Sequence, residues 1–195
     1  MNIKTLIGIG AVALLVVYGI NINNGLVEKQ ESVNQAWAQV ENQYQRRADL
    51  VPNLVNTVKG AADFEQETLT DVIDARSNAT SIQLNAGDLD NPQMIEQFQK
   101  AQQQLSGALS RLMLTVERYP ELKANQNFQD LQAQLEGTEN RIATERQRYN
   151  ETVQSYNTDI RRFPTNLFAG MLGFDEKAYF EADEGAEEVP EVNFD

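Results

Sequence analysis

The sequence predicts an all-α protein: an N-terminal transmembrane helix, an antiparallel bundle of three to four long helices, then a short C-terminal helix and an acidic tail. Three observations predict it. Leu6 to Ile22 reads LIGIGAVALLVVYGINI, with no charge. Beyond it, apolar residues recur at spacings of three and four along most of the chain. No alternating, strand-like stretch of any length occurs. The expected organisation is an anchor over residues 1–25, a bundle over 26–172 and a largely irregular acidic tail over 173–195.

As a helix, Leu6 to Ile22 spans about 25 Å, close to the roughly 30 Å hydrocarbon core of a bilayer. Ile3 can lengthen it, Lys4 can snorkel to one interface and Tyr18 lies near the other. A cleaved signal peptide opens in the same way, but this segment runs into Ile-Asn-Ile-Asn-Asn rather than a small-x-small site. An uncleaved anchor is therefore expected. Lys4 precedes the span, so the positive-inside rule favours a short cytoplasmic N-terminus and a bundle on the extracytoplasmic side.

The first bundle helix carries Val33, Trp37, Val40 and Tyr44 on one stripe, which continues through Leu50, Leu54 and Val58. Pro52 lies inside it and is expected to kink it, having no N–H for the carbonyl four residues back. Gly60 is the expected bend into a second helix over Phe64 to Ala79. Ser81 to Asn91 reads as a loop, ending in an Asn91 N-cap before a first-turn Pro92. A third helix follows and stops before Pro120. The fourth shows Phe128, Leu131, Leu135, Thr138, Ile142, Glu145, Tyr149, Val153, Tyr156, Ile160 and Phe163, a coiled-coil seam broken at Glu145 and ended by Pro164. Facing residues in an antiparallel pair have numbers with a constant sum. Val116 with Phe128, Leu109 with Leu135 and Ile95 with Tyr149 all give 244, which predicts a hairpin of the third and fourth helices. Gly107 and Gly137 share that sum, so a close backbone approach is expected there.

Charge and composition exclude several classes of function. With 29 acidic and 16 basic residues the formal charge is −13, which argues against nucleic acid as a partner. From Asp175 onward nine carboxylates face the single Lys177. Histidine and cysteine are both absent, which removes Ser-His-Asp and Cys-His nucleophiles, HExxH zinc and thiolate metal sites. No catalytic, cofactor or metal residues are expected.

The stretch AWAQVENQYQRRADLVPNLVNTVKGAADFEQETLTDVIDAR (Ala36 to Arg76) resembles the signature half of the LemA family of bacterial membrane proteins. RYNETVQSYNTDIRRFPTNLFAGMLGFDEKAYFE (Arg148 to Glu181) is similar to that family's C-terminal motif. With the anchor, the resemblance covers nearly the whole chain. It implies an N-terminal transmembrane helix and a long-helix bundle, and no particular activity.

Candidate interaction residues are Trp37, Arg46, Arg47, Tyr149, Asn150, Tyr156 and Asn157. Arg46 and Arg47 could grip lipid headgroups or a partner's carboxylates; as structural residues they would pair with Glu41 and Asp49. Tyr149-Asn150 recurs seven residues on as Tyr156-Asn157, placing the tyrosines on the seam and the asparagines beside it, where they could set helix register or line a pocket. Tyr179, Phe180 and Phe194 could dock on the bundle or on a partner. Pro52, Gly60, Gly107, Gly137 and Pro164 are expected to shape the backbone. The leading functional expectation is a membrane-anchored scaffold that self-associates through its long helices, with the bilayer, copies of itself and other envelope proteins as partners. The alternatives are a ligand- or envelope-stress-sensing bundle and, more remotely, an enzyme working with carboxylates such as Glu67 with Asp71 or Glu117 with Glu121.

Overall fold

The computed structural model describes residues 2–60 and 65–181. Phe64 and Phe194 lie outside the described residues, as does the acidic tail beyond Glu181. Among the described residues the structure is all helical, without strands. The elements are α1 (Ile3–Lys59), α2 (Gln66–Ser81), α3 (Pro92–Val116), the single turn α4 (Pro120–Lys123), α5 (Gln126–Arg161) and α6 (Thr165–Leu172).

The apolar segment and the first bundle helix are one uninterrupted α1 of 57 residues. At 1.5 Å per residue this is about 85 Å. From Asn2 to Tyr18 every side chain is exposed; Leu26 is the first buried residue. Below that point Val33, Trp37, Val40 and Tyr44 are all buried, as their stripe requires. Pro52 sits within α1 on its outer face, and the helix runs on to Lys59. The carbonyl that Pro52 cannot serve, that of Ala48, instead accepts a 2.7 Å hydrogen bond from Arg76 Nε on α2. A neighbouring helix thus replaces the missing rung. Gly60 caps the end of α1, where the bend was expected.

The pairing of helices differs from the expected hairpin. α1 and α5 are the most extensive backbone neighbours, followed by α2 and α3. Lys29 meets Asp159, Trp37 meets Tyr149 and Arg47 meets Glu139. Their number sums stay between 186 and 188, so α1 and α5 are antiparallel. α3 and α5 do run in the expected antiparallel register, with Ser106 donating to Glu139, but they meet through side chains across a gap. The proposed glycine contact is therefore wrong. A Cβ on Gly137 would meet nothing within 4 Å, and one on Gly107 would meet only the tip of Arg111 at 3.9 Å. The constant-sum argument finds register correctly but cannot rank which antiparallel pair packs closest.

The α5 seam is consumed inside the bundle: Phe128, Leu135, Thr138, Ile142, Tyr149, Val153, Tyr156 and Ile160 are all buried. Phe163 is not part of it. α5 ends at Arg161, Pro164 caps α6, and Phe163 is 79% exposed between them. Asn91 caps α3 as expected, accepting from the Gln93 N–H at 3.1 Å, with Pro92 in the first turn.

Two apolar cores stack along the bundle. The one nearer the apolar segment holds Leu26, Trp37, Phe98, Tyr149, Tyr156 and Phe180; the distal one holds Leu54, Val58, Leu105, Leu112 and Phe128. Ser81 to Asn91 is more than a surface loop, because Leu84 and Leu89 insert into the nearer core.

Candidate functional site

The chain leaves α6 through Gly173, whose φ of 79° is a left-handed conformation that suits glycine. It then lies extended across α5 and α3. Residues 173–181 contain no helix or strand, yet Phe174, Lys177, Ala178 and Phe180 are buried. A strap of this kind must satisfy its backbone polar groups without a ladder. Side-chain amides do so. Asn157 accepts from the Lys177 N–H and donates to the Lys177 carbonyl, both at 2.9 Å. Asn150 brackets Phe180 in the same way, again at 2.9 Å twice. Gln99 of α3 repeats the pattern on Glu181, at 3.3 and 3.0 Å, and Arg146 also donates to the Glu181 carbonyl at 2.8 Å. Between these brackets, the Ala178 N–H donates to Leu89 O at 2.8 Å and the Ala178 carbonyl accepts from Tyr149 at 3.1 Å.

The heptad spacing of the Tyr-Asn repeat has a metric reason here. Seven residues of helix advance about 10.5 Å, and three residues of extended chain advance about 10 Å. Asn150 and Asn157 therefore match Phe180 and Lys177 running the other way. The tyrosines divide their roles. Tyr149 is hydrogen-bonded, whereas the buried Tyr156 hydroxyl has no partner among the described residues. Burial pushes the Tyr149 phenol well up, and it pushes Tyr156 up to about 12, helped by the nearby charges of Asp175 and Asp90.

Phe180 completes an aromatic cluster. It stacks on Trp37 with centroids 5.8 Å apart, while Trp37 meets Phe98 and Tyr149 edge-on at 5.2 and 5.7 Å. At the strap's start Arg161 holds Glu176 through both guanidinium branches, which keeps the Glu176 carboxyl below its ordinary range. Lys177 is buried with its ammonium 3.8 Å from Asp90.

A second polar centre separates the two cores. Arg47, only 1% exposed, donates to Ser106 Oγ at 2.5 Å, Glu139 Oε1 at 2.8 Å, Gln102 O at 3.1 Å and Gln102 Oε1 at 2.7 Å. Gln102 in turn donates to the Ala79 carbonyl at 3.0 Å, tying α2 into the network. The guanidinium lies over the Tyr44 ring at 5.1 Å. Beside it, between α1, α3 and α5, opens a cavity of about 350 Å³ lined by Gln99, Gln103, Ser106, Glu139 and Arg146 among others.

The expected pairing of the arginines with Glu41 and Asp49 is not what forms. Arg47 turns inward to Glu139, Arg46 is exposed, and Asp49 accepts from Gln45. The helical carboxylate pairs do not converge either: Asp71 faces Arg111 at 3.8 Å and Glu117 pairs with Lys123. Sequence reasoning missed Arg76, Gln99, Gln102 and Glu139, because each is a lone polar residue on an amphipathic helix. Gln99 and Gln102 do stand out in hindsight as glutamines on the apolar stripe of α3.

The pattern that defines the LemA family matches residues 36–194. The chain belongs to the LemA family. A protein described as Protein LemA, from Metamycoplasma hominis, is 26% identical over 161 residues, covering 83% of this chain and 69% of that relative. The family match takes in both polar centres. The two LemA-like motifs, Ala36 to Arg76 and Arg148 to Glu181, lie far apart in sequence and close on one another in space. Trp37 stacks on Phe180 and Arg76 braces the helix that carries Trp37.

Proposed function

We propose that this protein is a single-pass, membrane-anchored scaffold without enzymatic activity, holding a stiff helical bundle beside the bilayer and associating with copies of itself or with other envelope proteins. The supporting observation is α1. Its bare apolar stretch, exposed from Asn2 to Tyr18, passes without a break into the buried stripe that begins at Leu26. Such a surface calls for lipid, and an unbroken helix couples anchor and bundle stiffly. The residues at the two polar centres brace the structure through amides and one arginine, and do not group as acid–base machinery. The α5 seam is occupied by the protein's own helices, so association would run through the anchor or the outer bundle faces. Lys4 supports an extracytoplasmic bundle on the bacterial inner membrane.

The chain has no native cysteine, which makes labelling clean. Asn140→Cys, on an exposed face of α5, should react with an impermeant maleimide in intact spheroplasts, and the protein should resist alkaline carbonate extraction. Release by carbonate would overturn the anchor, and labelling only after lysis would overturn the orientation. Crosslinking in native membranes should trap dimers or larger species; monomers alone at high membrane density would remove self-association.

A second reading, a ligand-sensing bundle, is favoured by the cavity beside Arg47, whose volume and polar lining suit a small polar molecule. A thermal-shift screen of small carboxylates and amides against the full chain tests it. Stabilisation abolished by Ser106→Leu would support the reading, and no shift across the screen would count against it.

A further inference from the structure

We propose that α6 is a second membrane contact, its exposed apolar face lying in the acyl-chain boundary of the same bilayer that α1 crosses. This rests on the reading of Leu6 to Ile22 as an anchor. α6 does not spend its apolar residues on the bundle: Leu167 and Met171, four apart and so on one side of the helix, are 60% and 79% exposed, Leu172 is 45% exposed, and only Ala169 within the helix is buried. With Phe163, 79% exposed just before the helix, they make an apolar surface that is unusual to leave in water. The position of α6 along α1 identifies what covers them. Phe168 turns inward onto α1, its ring edge-on to Tyr18 at 6.0 Å and 3.6 Å from where a Cβ on Gly19 would stand. Tyr18 lies four residues before Ile22, so this contact sits about 6 Å inside the end of the apolar span. A helix packed at that height has lipid as its continuous surroundings, and its exposed face continues the lipid-facing surface of Tyr18 and Ile20. α6 is then an interfacial helix of the kind that lies at the headgroup–acyl boundary. The strap follows directly, so membrane contact at α6 and docking at Asn157 are joined by the turn at Gly173.

The test uses the full chain in vesicles of phosphatidylcholine and phosphatidylglycerol. Single cysteines replace Met171 in α6, Leu14 in the apolar segment and Asn140 in mid-α5, all exposed positions whose substitution leaves the fold intact. Each carries an environment-sensitive fluorophore, challenged by acyl-chain spin-labelled lipid and by aqueous iodide. Labels at positions 14 and 171 should both be blue-shifted and quenched severalfold more by the spin-labelled lipid than the label at 140, which iodide should quench. Lipid quenching at 14 with iodide access at 171 would overturn the inference while leaving the anchor. Protection of 171 from both quenchers would overturn it in favour of a protein partner or a second copy. Iodide access at 14 would overturn the anchor reading and the inference with it.

Discussion

Asn157 holds both backbone groups of Lys177, accepting from its N–H and donating to its carbonyl at 2.9 Å each, in a buried position. One side chain thereby replaces two rungs of a sheet ladder. Removing it leaves two buried polar groups unpaired, which costs about 1–3 kcal/mol each before relaxation. Asn157→Ala should lower stability by about 2–3 kcal/mol and raise hydrogen exchange across residues 177–181, whereas Asn140→Ala on the exposed face should fall within about 0.5 kcal/mol of the parent. Chemical denaturation with exchange mass spectrometry reads both. Asn157→Asp can still accept but cannot donate, so full recovery by aspartate would contradict the bracket.

The two seam tyrosines should respond oppositely to loss of their hydroxyls. Tyr149→Phe removes the donor to Ala178 O and should cost about 1 kcal/mol. Tyr156→Phe removes a buried hydroxyl that has no partner among the described residues, so it should be neutral or stabilising. Thermal melts of the two variants side by side decide this. A larger loss for Tyr156→Phe would show that the hydroxyl is satisfied.

How much of this was legible in the sequence follows from what each signal encodes. Helical period marks which face of a helix is covered, and Trp37, Tyr44, Tyr149 and Tyr156 are indeed buried. It does not say what covers the face. The α5 seam predicts a covering helix, and the constant-sum pairs point to the third helix, yet α1 packs closest against it. The Tyr-Asn repeat was visible as a pattern, but its purpose depends on an extended strap whose three-residue pitch matches seven residues of helix. Tertiary contact alone reveals that match. Arg47 and Arg46 are adjacent and identical in type, so only the phase of the stripe separates the buried one from the exposed one.

That separation is testable. Arg47 is buried against Glu139, Gln102 and Ser106, while Arg46 faces solvent. Arg47→Ala leaves a cavity and strips the buried Gln102 side-chain oxygen of its donor, and should cost about 3 kcal/mol or more; Arg46→Ala should cost less than about 0.5 kcal/mol. Arg47→Met keeps the volume without the charge, and should recover part of the loss by packing. Equal sensitivity at positions 46 and 47 would refute the polar layer between the two cores.

Pro52 and Arg76 should be thermodynamically coupled through the Ala48 carbonyl. In the parent, Arg76→Met leaves that carbonyl without its donor and should cost about 1.5–3 kcal/mol. With Pro52→Ala the helix regains its own N–H donor, and the same Arg76→Met change should cost clearly less. A double-mutant cycle isolates the difference, free of whatever each substitution does elsewhere. Strict additivity would mean that the arginine bond does not compensate for the proline.

Stability should also fall away at both pH extremes through the strap. Glu176, held below its ordinary value of 4.5 by hydrogen bonds from Arg161, contributes stability that is full above that value and is lost as pH falls through its lowered folded value. The gap between the parent and Glu176→Gln should therefore be present at pH 7 and shrink as the pH falls below 4.5. Because the pair is exposed, the gap should be small and should shrink in salt. The alkaline limb has the opposite sign. Tyr156 ionises near 10 when unfolded and near 12 when folded, so its neutral form favours the native state below pH 10 and that contribution disappears as pH rises from 10 to 12. Phenolate absorbance should show Tyr149 and Tyr156 ionising late, together with loss of helical circular dichroism. Tyr156→Phe should extend the alkaline range of the fold, and an unchanged alkaline midpoint in that variant would place the sensitivity elsewhere.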